Sequence, residues 1–246
     1  MFLIDDGIKL NADLEMPDAN AEKCPLVIII HGFTGYNAEP HLLAVSEMLH
    51  AIGYATLRVD MYGHGKSEGK FHDHTLYKWL TNAMTAVDYA RSLNFVTDIY
   101  LCGHSQGGLT VMLAGAMEHD RIKGIIALSP AAMIPDLARK GGLLGTGFDP
   151  DNIPEDLTVW NDFVLGNNYV RVAQTIDVDS AIDRYTGPVL VVQGDQDGED
   201  LMASAVAAAK RYKNAKLVMI QGAPHCYDEH FEELADAVKG WMPKLS

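Results

Sequence analysis

Residues Val27 to Ile30 are four consecutive β-branched side chains with no polar position among them. Successive side chains of a strand point to opposite faces, so a run like this has no face that water can be left to cover. It must be packed on both sides. Short apolar runs recur over residues 25–30, 54–59, 98–102, 122–128, 188–193 and 216–220, several of them without polar alternation. They predict the strands of a mostly parallel central sheet. Helix-length stretches lie between them at 41–51, 75–92, 107–118, 199–212 and 229–242. The alternation predicts an α/β fold with helices on both faces of the sheet and right-handed crossovers. Residues 2–4 and 8–15 add an expected antiparallel pair.

Residues 133–184 break this rhythm, with no core strand, a glycine-rich run from Lys140 to Pro150, and then polar residues mixed with aromatics. Long irregular stretches in compact proteins are uncommon unless they are functional or disordered. Phe148, Trp160, Phe163 and Tyr169 argue against disorder. The segment is therefore expected to be a cap inserted over the C-terminal edge of the sheet, within one domain spanning residues 1–246.

Between the apolar run Ile99–Cys102 and the helix-like Leu109–Ala114 stands Gly103-His104-Ser105-Gln106-Gly107-Gly108. This places a serine on a tight strand-to-helix turn, flanked by glycines that let backbones approach closely. A serine hydroxyl is a weak nucleophile at neutral pH and needs an adjacent base, which a carboxylate must in turn orient. Both types follow in chain order. The 188–193 run leads into Gly194-Asp195-Gln196-Asp197, where spacing alone leaves Asp195 and Asp197 as alternative acids. The 216–220 run leads into Gln221-Gly222-Ala223-Pro224-His225-Cys226. Of ten histidines, His225 alone follows both the serine and the acids on a post-strand loop of its own. His119 falls at a polar helix end, whereas His31, His41, His72, His74 and His230 lie near loops or helix starts and stay open as pocket residues. For an oxyanion the chain offers the backbone N–H of Gln106 and that of Phe33 in His31-Gly32-Phe33-Thr34-Gly35.

The formal net charge of −14 disfavours nucleic acid and polyanionic substrates, which call for basic clusters. No run of about 18 apolar residues suggests a membrane span. Residues Met1 to Gly7 lack a basic lead and a long apolar region, so a cytoplasmic protein is expected. The three cysteines form no metal knuckle. Cys24 and Cys102 border apolar strands and are expected to be buried, while Cys226 adjoins His225. Gly63-His64-Gly65 follows a strand but lacks the third glycine and the helix of a dinucleotide fingerprint, so it is expected to be a structural turn pinned by Arg58 or Asp60.

On these motifs, together with Arg58-Val59-Asp60-Met61-Tyr62-Gly63-His64-Gly65, Ser129-Pro130-Ala131-Ala132 and Asp149-Pro150-Asp151-Asn152-Ile153-Pro154, the chain resembles the α/β-hydrolase superfamily. Within it, the chain is most similar to small bacterial cinnamoyl and feruloyl esterases. The resemblance implies a capped α/β-hydrolase fold. It also implies a serine esterase cleaving hydroxycinnamate esters (ferulate, caffeate, p-coumarate) through an acyl-enzyme. It selects Asp197 over Asp195 as the acid beside Ser105 and His225, and Phe33 and Gln106 as oxyanion donors. The implied substrate-binding set is Thr34, His104, Asp136, Leu144, Trp160 and Tyr169, with Tyr169 matching a cap tyrosine that reaches the phenolic end of the substrate. Leu144 stands about where such relatives carry glutamine, which keeps a short-chain or aryl carboxylesterase as the alternative. An amidase or peptidase and a non-catalytic binding protein rank lower. A small-molecule ester is the implied partner, no metal or organic cofactor is called for, and a homodimer is left open.

Overall fold

The structure, a computed structural model, describes residues 1–17 and 22–245. Strands β1 (Phe2–Asp5), β2 (Ile8–Glu15) and β3 (Cys24–Ile30) are followed by α1 (Pro40–Ala51), β4 (Ala55–Val59), α2 (Leu76–Ser92), β5 (Val96–His104), α3 (Gln106–Met117) and β6 (Ile122–Leu128). Then come α4 (Ile134–Arg139), two hairpins β7 (Gly142–Leu143)/β8 (Thr146–Gly147) and β9 (Asp156–Val159)/β10 (Phe163–Gly166), α5 (Asn167–Thr175) and α6 (Val178–Arg184). The chain closes with β11 (Val189–Gly194), α7 (Glu199–Arg211), β12 (Ala215–Ile220) and α8 (Phe231–Lys239). Eight strands form one sheet in the order β1-β2-β4-β3-β5-β6-β11-β12. From β4 to β12 every neighbour is parallel, and the β1–β2 hairpin joins antiparallel at one edge. This is the mostly parallel, doubly covered α/β sheet expected from the apolar runs, in the arrangement that the resemblance implies.

The β-branched run that demanded two covered faces has them. Leu26, Ile28 and Ile30 of β3 enter the core beneath α2 and α3, with Trp79, Leu109 and Met112. Val27 and Ile29 enter the opposite core, with Leu42, Val45 and Leu49 of α1 and Leu234 and Val238 of α8. The segment between β6 and β11 adds no strand to the main sheet. Its glycine-rich start folds as the β7/β8 hairpin, and Leu143, Leu157, Leu165, Tyr169 and Val170 pack into the core on the α2/α3 side.

Among the elements expected from the sequence, β5 and α8 differ from their expected ranges by more than one residue at an end, for local reasons. β5 runs on through Gly103 and His104 because these residues still pair with Ala127 and Leu128 of β6. α8 starts later because Glu229 has φ +66°, outside helical space, and it stops at Gly240. The Gly63–Gly65 turn is pinned as anticipated: Asp60 accepts from the backbone N–H groups of Asn37 and Lys66, and Arg58 donates to the Asn37 carbonyl. Among the described residues no helix is long and apolar enough to cross a membrane.

The register puts the C-terminal ends of β3, β5 and β6 side by side, Ile30 beside Gly103 and His104 beside Leu128. Two glycines make the approach of α3 possible. A Cβ on Gly103 would overlap the Gly107 carbonyl, and one on Gly107 would overlap the carbonyl oxygens of Ile30 and His31. Both obstacles are backbone and cannot swing away. Gly107→Ala is therefore expected to lower stability by about 1–3 kcal/mol or more, seen as a fall of several degrees in Tm. Gly142→Ala, where a Cβ meets nothing within 4 Å, should leave Tm unchanged in the same thermal melts.

Candidate active site

Ser105 connects β5 to α3 with φ 55° and ψ −117°, a left-handed φ that is strained for a residue with a Cβ. Backbone hydrogen bonds hold it there. Its N–H donates to the Leu128 carbonyl at 2.8 Å, and its carbonyl accepts from Ala131 and Leu109 at 3.0 and 3.1 Å. The following residue opens α3, whose first N–H groups have no partner within the helix. The backbone N–H groups of Gln106 and Phe33 donate to no protein acceptor among the described residues. Phe33 lies beyond the end of β3, on the loop facing Ser105.

At the neighbouring strand ends, Asp197 follows β11 and His225 follows β12. His225 Nδ1 lies 2.8 Å from Asp197 Oδ2. A carboxylate only accepts, so Nδ1 carries the proton and the Nε2 lone pair is left free. The carboxylate is nearly fully buried whereas the imidazole is about one-third exposed. Burial pushes the Asp197 pKa up, but the hydrogen bond and charge of His225, with further hydrogen bonds from Gln193 and the Gly198 N–H, prevail and hold it below the ordinary value. Gln193 Nε2 donates to Asp197 Oδ2 at 2.8 Å and Gly198 N–H to Oδ1 at 2.7 Å. The carboxylate thus stays ionised at neutral pH.

Asp195, the other acid open from spacing, points elsewhere. Its Oδ1 accepts from Gly222 N–H at 2.7 Å and ties the loop after β11 to the start of the His225 loop. The His225 carbonyl lies 2.9 Å from His104 Nε2. Below it Tyr227 Oη reaches the Val192 carbonyl and Ser129 Oγ, both at 2.9 Å. Gln193 and Tyr227 were not singled out from the sequence. Gln193 had a signal, a lone amide at the end of an apolar strand; Tyr227 had none.

Ser105, His225, Phe33 and Gln106 line one cavity of about 260 Å³, with Thr34, His104, Leu144 and Trp160 also on its wall. Ala131, Met133, Ile134 and Leu201 make the rest largely apolar. Trp160 is 56 % exposed, and its backbone N–H donates to the Leu144 carbonyl at 3.1 Å, which joins the two residues. His104 is almost wholly buried and supports the His225 loop as well as the wall. A larger cavity, about 400 Å³, lies between α4, α6 and α7, but it holds neither Ser105 nor His225.

Two residues of the expected substrate set are placed differently. Asp136 lines that larger cavity and is bound to Arg139 on the next turn of α4. Tyr169 is fully buried, and its hydroxyl donates to Gln106 Oε1 at 2.6 Å. It therefore braces the residue after the serine from within the core. Of the histidines left open, His31, His41 and His74 are buried, His72 sits between Asp73 and Asp156 on the surface, and none lines the Ser105 cavity. Cys24 and Cys102 are buried, and burial raises the Cys226 thiol to about 11, aided by Glu39, Asp228 and Asp197, so it is no thiolate nucleophile at neutral pH.

Residues 21–146, a little over half of the chain, match the Hydrolase_4 family, described as serine aminopeptidase, S33. The chain is 62% identical to Est1E from Butyrivibrio proteoclasticus in a structure with ferulic acid bound, with a TM-score of 0.96 over 98% of this chain and 97% of that one. It is 24% identical over 272 residues to a monoacylglycerol lipase of Mycolicibacterium smegmatis, covering 96% of this chain and 93% of the relative. It is 28% identical over 110 residues to the mitochondrial palmitoyl-protein thioesterase ABHD10 of Homo sapiens, a match that spans 45% of this chain and only 35% of that relative's length.

The different placements of the two aspartates predict different losses. Asp197→Asn should lower kcat on the order of 10⁴-fold, as loss of an acid that sets the histidine tautomer does. Asp195→Asn weakens a loop contact and should cost less than about tenfold. Matched steady-state assays of the two variants decide the assignment, and a larger defect in Asp195→Asn reverses it.

Proposed function

The chain belongs to the serine aminopeptidase S33 family of α/β-hydrolases and is a carboxylic ester hydrolase; we propose that its substrates are esters of hydroxycinnamic acids such as ferulate, caffeate and p-coumarate. One conjunction carries the proposal. The Ser105 turn and the Asp197–His225 pair meet at one apolar cavity, in a chain 62% identical to a protein whose structure holds ferulic acid, the acid that hydrolysis of a ferulate ester releases. The reaction on its own calls for no metal or organic cofactor. The unpaired Cys24, Cys102 and Cys226 support a cytoplasmic location, since oxidising compartments favour paired cysteines.

Ser105 Oγ attacks the ester carbonyl carbon while His225 Nε2 takes its proton. The imidazolium that forms is stabilised by ionised Asp197, which is already aligned with Nδ1. The carbonyl oxygen becomes negative at the unpaired N–H groups of Phe33 and Gln106, fixed donors that need no reorganisation as the charge develops. His225 returns the proton to the departing alcohol, and water then attacks the acyl-enzyme through the same base. Leu144 and Trp160 offer the acyl ring an apolar wall, and Thr34 lies on the loop that carries Phe33.

A kcat/KM panel tests this reading: methyl ferulate, chlorogenic acid, methyl cinnamate, a nitrophenyl butyrate, a long-chain ester and an aminoacyl anilide. Hydroxycinnamates should lead, and Ser105→Ala should abolish turnover of every ester. A preference for the butyrate would support the general esterase, and a preference for the anilide would point to an aminopeptidase. Trp160→Ala should lower kcat/KM for methyl ferulate about tenfold, near 1.4 kcal/mol, with a smaller loss for the butyrate. Tyr169→Phe leaves Gln106 Oε1 buried and unpaired, a defect of the site itself, so its losses should match across the panel within about threefold. A loss confined to ferulate and caffeate esters would instead show the Tyr169 hydroxyl reaching the substrate.

A further inference from the structure

Behind His225 lies a second group of polar side chains that ester hydrolysis does not use. Glu39, His41 and His104 each offer one ligand atom, and the three atoms lie within 4.8 Å of one another. Both histidines are only 2 % exposed. Each residue has a buried side-chain atom without a hydrogen-bond partner among the described residues: Glu39 Oε2, His41 Nε2 and His104 Nδ1. Glu39 Oε2 and His41 Nε2 are 4.0 Å apart, too far for a direct hydrogen bond. Buried polar atoms left unpaired are costly, and three in one place call for a common partner.

The chemistry of the donors narrows that partner. His104 Nε2 faces the His225 carbonyl, which only accepts, so Nε2 carries the proton and Nδ1 presents a lone pair. An imidazole whose other nitrogen donates to a backbone carbonyl is the arrangement that metal-bound histidines adopt. Two imidazoles and a carboxylate form a donor set suited to zinc, with a fourth position for water. Tetrahedral zinc, with bonds of about 2.0–2.2 Å, holds its ligands roughly 3.3–3.5 Å apart, so the observed spread closes with modest side-chain movement. Glu39 also lines the substrate cavity, which gives an ion a path of entry. The loop of Phe33 covers the group closely. A Cβ on Gly35 would strike the Glu39 carboxylate, and one on Gly32 would lie 3.1 Å from His104 Nδ1.

We propose that Glu39, His41 and His104 bind a single zinc ion and that its binding inhibits the enzyme. The site rests on the geometry of these three residues, and the inhibitory effect rests on the ester-hydrolase reading above. The His104 and His225 rings are 4.7 Å apart between centroids, and His225 must become positive as Ser105 attacks. A dication bound to the adjacent ring opposes that charge. The inhibition acts on kcat, because the charge on His225 arises after the substrate has bound.

The test uses the whole chain treated with EDTA and freed of it. Zinc titration by calorimetry on Ser105→Ala reads binding apart from catalysis, and activity with and without zinc is read on the wild type. The expected results are one zinc per chain, at least a tenfold fall in kcat with KM changed less than twofold, and recovery on adding EDTA. His41→Gln should weaken zinc binding by at least about tenfold and bring the activity ratio with and without zinc back toward one. The nearly isosteric Glu39→Gln gives the same calorimetric result if His41→Gln folds poorly. Cys226→Ser should be inhibited like the wild type. No zinc bound, binding that survives both ligand substitutions, or binding without a fall in kcat would each overturn the proposal. So would a thiolate charge-transfer band with Co²⁺, which would assign the ion to Cys226. An enzyme inactive on every ester would sink the functional reading and leave the calorimetry to decide the site.

Discussion

The turn at Ser105 is the constraint around which the rest of the site is arranged. A serine at φ 55° is costly in isolation and persists only where its surroundings over-determine it. Here they do so through the Leu128, Ala131 and Leu109 backbone bonds and through glycines at 103 and 107 that admit helix and strand backbones to contact. Three parallel strands must end level for those bonds to form, and they do so because both faces of β3 are committed to apolar cores. The hydrophobic pattern sets the register, the register sets the turn, and the turn lifts a hydroxyl out of the sheet beside two unpaired N–H groups.

Charge is managed by the same economy of strand ends. Asp197 is buried, yet it remains ionised because His225, Gln193 and the Gly198 N–H together outweigh its desolvation. His225 is held from three sides: Asp197 at its ring, His104 at its carbonyl, and Asp195 through Gly222 at the root of its loop. His104 links this machinery to the Glu39–His41 group, so the second coordination of charge lies one ring away from the first.

Much of this was legible in the sequence, for physical reasons. Runs such as Val27–Ile30 can only be doubly covered strands, and Gly-x-Ser-x-Gly at a strand exit has few uses other than a tight exposed turn. The chain order of Ser105, the 195–197 acids and His225 was visible, but spacing alone left Asp195 and Asp197 open, and only the family resemblance selected Asp197. Two residues along one loop differ in direction, and direction is set by Gly222 and Gln193 from elsewhere in the chain. Tyr169 and Asp136, expected in the substrate set, lie off the Ser105 cavity for a related reason. An aromatic in a cap signals burial as readily as contact with substrate, and an aspartate three residues before Arg139 on a helix is partnered locally. The Glu39–His41–His104 group was out of reach, since its members are brought together by tertiary packing of α1 against the end of β5.

The central claim is that Ser105 carries the acyl group between the two halves of the reaction. Acid quenching during turnover of a ferulate ester, followed by intact-mass and peptide mass spectrometry, measures this directly. One feruloyl group should appear on the peptide containing Ser105, build up further in Asp197→Asn, and be absent from Ser105→Ala. Label on Cys226, or efficient turnover with no acylated protein at any quench time and no burst of the first product, would contradict the account.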